Sequence, residues 1–162
     1  MDFVVGLSVT QRGHNGVWVV MYRLTKIVYF LPYNTKWSVA KLARYYVREI
    51  VRLHGVSVSI VSDRDARFIS KFWQSFQEAM GTELQISSAY HPQTDGQSKR
   101  TIQILEDMLR ACCMDWGGAW EQYLSLAEFA YNNSFQAIIR MPPFEALHGR
   151  LCRSPLCLGG AW

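Results

Sequence analysis

Residues 16–55, GVWVVMYRLTKIVYFLPYNTKWSVAKLARYYVREIVRLHG, contain the change of period that decides the fold. The runs GVWVVMYRL and KIVYFLPY are apolar and rich in β-branched and aromatic residues, a composition suited to pleated strands. From Ser38 onward the rhythm changes: Val39, Leu42, Ala43, Tyr46, Val47, Ile50 and Val51 recur at helical spacing, with Ser38 placed to cap the first turn and Gly55 to end the last. Upstream, MDFVVGL supplies a further strand, and the turn-rich SVTQRGHNG links it to the next, so three strands read as an antiparallel meander.

Downstream, VSVSIVSD is a short strand ending on Asp63, SKFWQSFQEAMG a helix capped by Ser70 and closed by Gly81, and ELQIS another strand. A helix of about four turns is expected from near Gln97, another across WEQYLSLAEFAYNN, and a short one begun by Pro143 in PPFEALHG. The order β-β-β-α-β-α-β-α-α, followed by the short helix at Pro143, predicts an α/β fold, a mixed five-stranded sheet flanked by helices, and it resembles the order of ribonuclease H-like domains.

With 162 residues, 49% hydrophobic and 19% charged, the chain suits a globular domain with a real core and excludes wholesale disorder. No repeat or Pro/Gly/Ser-rich linker divides it, so residues 1–162 read as one domain. The net charge of +4 permits a polyanionic partner without demanding one. Arg23, Lys26 and Arg48 interrupt the most apolar stretches before any reaches the roughly 18 residues a membrane span needs. No basic segment followed by an apolar one opens the chain, so the expectation is an intracellular protein. Cys112, Cys113, Cys152 and Cys157 form no C-x-x-C pair and read as reduced thiols without a metal.

Two aspartates are the candidates for chemistry. Asp2 lies in the first strand and Asp63 ends the fourth, so pairing of those strands would bring two carboxylates together. A lone aspartate at a strand end is ordinarily just solvated, but a converging pair is costly unless cations neutralise it, which points to Mg²⁺ or Mn²⁺. Two-metal phosphoryl transfer uses carboxylates in this way and generally takes a third.

The runs RLTK (23–26), YFLP (29–32), EIVRLHG (49–55), VSDRDARF (61–68), HPQTDGQSKRTIQILEDMLRAC (91–112), EFAYNN (128–133) and PFEALHGR (143–150) occur in this order along the chain. Together they resemble the integrase catalytic core of Ty3/gypsy-type long-terminal-repeat retrotransposons, relatives of retroviral integrases. The resemblance implies a ribonuclease H-like fold and an enzyme that processes 3′ ends of element DNA and joins them to target DNA. It also implies two divalent metals, DNA as partner and the nucleus as place of work. Asp2 and Asp63 then match the family's first two catalytic, metal-binding acids. The third position, after the thirty-five residues 64–98, is Lys99, and DGQSKR stands where the family has DGQSER.

A lysine ammonium, with an ordinary pKa of about 10.4, only donates and cannot ligate a hard cation. Metal binding is therefore expected to be weakened and catalysis impaired. Glu106 is no substitute, lying seven residues and about 10.5 Å further along the same helix. Asp95 has no catalytic role in the family pattern. By resemblance the loop YHPQTDG overhangs the metal site, with Tyr90, Gln93 and Asp95 toward DNA and with Pro92 and Gly96 setting and releasing the turn. Lys99, Arg100 and Arg110 are candidates for phosphate contacts from the following helix, and Arg64, Arg67 and Lys71 for the same role after Asp63, though such faces are ordinarily just solvated.

Trp73, Phe76, Phe129 and Tyr131 read as packing residues, His91 has no metal role, and Asp65 is read as a turn acid. Ile102, Leu105, Leu109 and Cys112 form the expected buried stripe of the Lys99 helix, leaving Lys99, Gln103, Glu106 and Arg110 on another face. The chain starts one residue before Asp2, so the resemblance implies a first strand cut short and a missing zinc-binding N-terminal domain. A noncatalytic DNA-binding or oligomerisation module derived from an integrase is the alternative reading, a decayed product a third, and the sequence leaves open whether the chain forms a homodimer.

Overall fold

Both faces of one strand are covered, and that sets the layering. In the computed structural model, which describes residues 1–86 and 92–153 (for 92–95, 97 and 98 the backbone only), β1 (Asp2–Val4), β2 (Gly16–Met21) and β3 (Val28–Tyr33) form an antiparallel sheet in that order. Strand β2 is central, with Asp2 opposite Val19 and Phe30 opposite Val19 on its other side. Its side chains alternate between two cores. Val17 and Val19 join Val4, Val28 and Phe30 in one; Trp18 and Val20 join Leu31 and Tyr33 in the other. This is why GVWVVM is apolar without alternation.

Helices close both layers. On the Trp18 side lies α1 (Val39–Tyr46), continued by a π-helical turn (Val47–Val51) and α2 (Arg52–His54), together with α3 (Lys71–Ala79). Both start where the sequence places a cap: the Ser38 and Ser70 hydroxyls accept from the Lys41 and Trp73 amides. Gly55, with φ +76°, ends the first run in a conformation that costs a Cβ-bearing residue strain. On the Val17 side lie α4 (Pro92–Trp116), a 3₁₀ turn (Trp120–Tyr123) and α5 (Leu124–Asn132), which bring Leu105, Leu109, Trp120, Leu124, Ala127 and Tyr131 to the core. A last short helix, α6 (Pro143–His148), places Phe144 against Phe129 at 5.7 Å between ring centroids.

The expected five-stranded sheet is not continuous. β4 (Ser59–Ser62) and β5 (Glu83–Ile86) form their own parallel pair, so the described strands divide into a sheet of three and a sheet of two. One bond spans the gap, from the Met1 nitrogen to the Val61 carbonyl at 2.6 Å.

A second correction concerns α4. It begins at Pro92, not near Gln97, and runs 25 residues. Proline suits the first turn of a helix, where its missing N–H is not needed, and Gly96, whose φ is not in the left-handed range, costs the helix only about 1 kcal/mol. The stripe downstream outweighs that cost: Leu105 and Leu109 are buried, Ile102 and Cys112 half-buried, and Lys99, Gln103, Glu106 and Arg110 exposed.

The outer edge of β3 is closed by side chains of α5. Asn132, fully buried, accepts from the Val28 amide and donates to the Val28 carbonyl, each at 2.8 Å, and Glu128 accepts from the Phe30 amide at 2.8 Å. One turn of helix thereby does what a fourth strand would do for this edge. Burial holds the Glu128 carboxyl above its usual range, against the bond from Phe30.

Candidate two-carboxylate site

Asp2 belongs to the first residue pair of β1 with β2, and its Oδ1 accepts from its neighbour, the Phe3 amide, at 2.8 Å. Asp63 follows the last residue of β4, where the Asp65 amide donates to its Oδ1 at 3.4 Å. The bond from Met1 to Val61 aligns the start of β1 with the end of β4, and the two carboxylates lie near enough to sense each other. Partial burial first, and the charge of Asp2 second, push the Asp63 carboxyl up to about 6. An acid that resists ionisation beside a second acid favours a cation in its place.

The turn after Asp63 is fixed by a third acid and an arginine. Asp65 accepts from Arg67 Nε at 2.7 Å through Oδ1 and from Nη2 at 2.5 Å through Oδ2, a bidentate pair. The guanidinium holds the Asp65 carboxyl below its usual range. Arg67 Nη1 also donates to the Tyr33 hydroxyl at 2.9 Å, and the guanidinium carbon lies 3.7 Å from the centroid of the Phe3 ring. Asp65 is thus a turn acid, as expected, and Arg67 is engaged inside the fold. The sequence carries a signal for this, an aspartate two residues before an arginine in a turn.

Arg64 and Lys71 are exposed. Lys99, Arg100 and Arg110 are exposed on α4, Lys99 in its third turn. Tyr90 lies outside the described residues, as do His91 and Cys157; Gln93 and Asp95 fall on the helical backbone of α4 and not in a loop. Trp73 and Tyr131 are buried as expected, and Phe76 and Phe129 half-buried. Cys112, Cys113 and Cys152 are free thiols.

Two carboxylates, one resisting its charge, suit a single hard cation that completes its shell with water. Among the described residues no group of three His, Cys, Asp or Glu forms that could hold a metal, so a pair of cations is not matched by the acids described. No helix of the described residues is long and apolar enough to cross a membrane.

No protein-family model matches the chain. Among curated proteins, it is 32% identical over 148 residues to the transposon Tf2-3 and Tf2-4 polyproteins of Schizosaccharomyces pombe, which covers 91% of this chain and 11% of each relative. The chain therefore spans about a tenth of the length of the curated relatives it matches. Among solved structures, it resembles the catalytic core domain of BIV integrase with a TM-score of 0.66 at 19% identity, covering 91% of this chain and 94% of that one. It also resembles the HTLV-2 integrase catalytic core in complex with magnesium, in a trimeric form, with a TM-score of 0.68 at 14% identity over 90% of this chain and 93% of that one. The simian T-cell lymphotropic virus intasome gives a TM-score of 0.71 at 16% identity over 95% of this chain and 56% of that one.

Proposed function

We propose that this chain, an LTR-retrotransposon integrase core by its sequence relatives and its fold, descends from a Ty3/gypsy-type enzyme of 3′-end processing and strand transfer and is catalytically impaired at Lys99. The observation that carries this reading is the lysine that stands after thirty-five intervening residues from Asp63, on a helix that follows a pair of interacting carboxylates. In the proposed site Asp2 and Asp63 hold one Mg²⁺ or Mn²⁺. When bound, such an ion acts as a Lewis acid on the phosphate and lowers the pKa of an attacking water. Asp2 and Asp63 would be the residues that hold such a cation, whose charge would offset that of the two carboxylates. Lys99 adds a positive charge where the family has an anionic oxygen ligand, which disfavours a second cation and favours a DNA phosphate.

The same residues support the alternative of a DNA-binding module without chemistry. Lys99, Arg100 and Arg110 are exposed on one helix, so phosphate binding needs no metal. Gln93 and Asp95, in the first turns of that helix, and Tyr90 before it, are proposed to approach the DNA end.

The decisive comparison is strand joining and 3′-end processing by the unaltered chain and by Lys99→Glu, in Mg²⁺ and in Mn²⁺. The revertant is expected to exceed the unaltered chain by more than the roughly 10–100-fold that loss of a supporting partner of a metal ligand costs. Robust strand joining by the unaltered chain would sink the impairment, and DNA binding with both variants inert would favour the binding module.

A further inference from the structure

We propose that Arg67 is a positioning residue: its guanidinium clasps the strand that carries Asp2 to the turn that carries Asp63, and so sets the two carboxylates at one cation. The cation part of this inference rests on the function proposed above; the clasp rests on geometry alone. Arg67 meets three separate segments. Its fork pairs with both oxygens of Asp65 at 2.7 and 2.5 Å, two residues beyond Asp63. Its flat face lies 3.7 Å from the ring of Phe3, the residue after Asp2. Nη1 donates to Tyr33 at 2.9 Å, at the end of β3.

The same parts share the Trp18-side core, where Met1 and Phe3 pack with Ile60 and Phe68, and Arg67 adds the polar link between them. β1 and β4 belong to different sheets, and one hydrogen bond, Met1 to Val61, spans them. Phe3 stacks on Phe68 with centroids 4.7 Å apart and planes 13° from parallel, so the guanidinium and the Phe68 ring are both partners of Phe3. Arginine alone among the basic residues can serve both directions at once, pairing in the plane of its fork and stacking on its face. A lysine at this position keeps the charge and loses one of the two.

The test uses NMR of the 162-residue chain, with Mn²⁺ alone as the probe, on the unaltered protein, Arg67→Gln and Asp65→Asn. Two signals are read: the ring contact between Phe3 and Phe68, and the Mn²⁺ concentration that half-broadens the Phe3 and Arg64 amides. The Trp18–Trp73 ring contact reports the fold, because those rings lie at 5.8 Å in the Trp18-side core. In folded Arg67→Gln the Phe3–Phe68 contact is expected to weaken and the Mn²⁺ midpoint to rise roughly tenfold, the scale on which ligand-supporting residues act. Both signals unchanged would overturn the clasp. If Arg67→Gln loses the Trp18–Trp73 contact, Asp65→Asn decides in its place: it leaves the guanidinium in the chain and removes the anchor of its fork, so a shift supports the proposal and none overturns it. If the unaltered chain shows no Mn²⁺ broadening, the cation reading falls, and the ring contact alone decides for or against Arg67.

Discussion

The Asp63 carboxyl stands at about 6 in the fold against an ordinary value of 3.8, from partial burial and then from Asp2. The sign follows from proton linkage. Below the ordinary value both folded and unfolded chains hold the proton, and the site costs nothing. As pH rises from there toward 6, the unfolded chain ionises first and stability falls, and above about 7 the penalty is complete. Asp63→Asn is therefore expected to raise the thermal midpoint above pH about 7 and to leave it nearly unchanged below pH about 4. Equal effects at both ends, followed by circular dichroism, would refute the elevation of the Asp63 carboxyl. Asp2 and Asp63 were legible from the strands that carry them, and Lys99 through the resemblance to the integrase family. The engagement of Arg67 was not: its partners Tyr33 and Phe3 lie 34 and 64 positions away, and nothing local announces them.

Elements follow the same division. The helix starts at Ser38 and Ser70 were readable because a cap acts within three residues. The start of α4 was misplaced because Pro and Gly punctuate turns and also tolerate helices, and local chemistry does not choose between them. Gly96 now provides a check. A methyl group built there meets nothing within 4 Å and the residue is exposed, so Gly96→Ala is expected to stabilise the chain by about 0.5–1 kcal/mol in urea denaturation. A loss of stability there would restore the loop. The β3 edge supplies the opposite case. Asn132→Leu strands the amide and carbonyl of Val28 in the interior, and a loss of about 2–4 kcal/mol is expected by the same measurement, since each unpaired buried group costs about 1–3 kcal/mol. An unchanged midpoint would mean that the edge does not depend on α5.

At the scale of the whole molecule, the chain's +4 charge matters through its placement. If the exposed face of α4 meets DNA, Arg100→Gln and Arg110→Gln should each reduce the slope of log affinity against log salt by about 1, with little change in sequence preference. Slopes unmoved by either substitution would remove α4 from the interface. The sequence by itself determined the order of elements and the buried stripes of α1 and α4, because periodicity and capping act over a few residues, while Lys99 was singled out only by the resemblance to integrase cores. Only the tertiary structure decided that the strands split into a sheet of three and a sheet of two, that Asn132 and Glu128 seal β3, and that Arg67 bridges the segments bearing Asp2 and Asp63. Those outcomes depend on contacts between residues far apart in the chain, and such contacts exist only once the layers have packed.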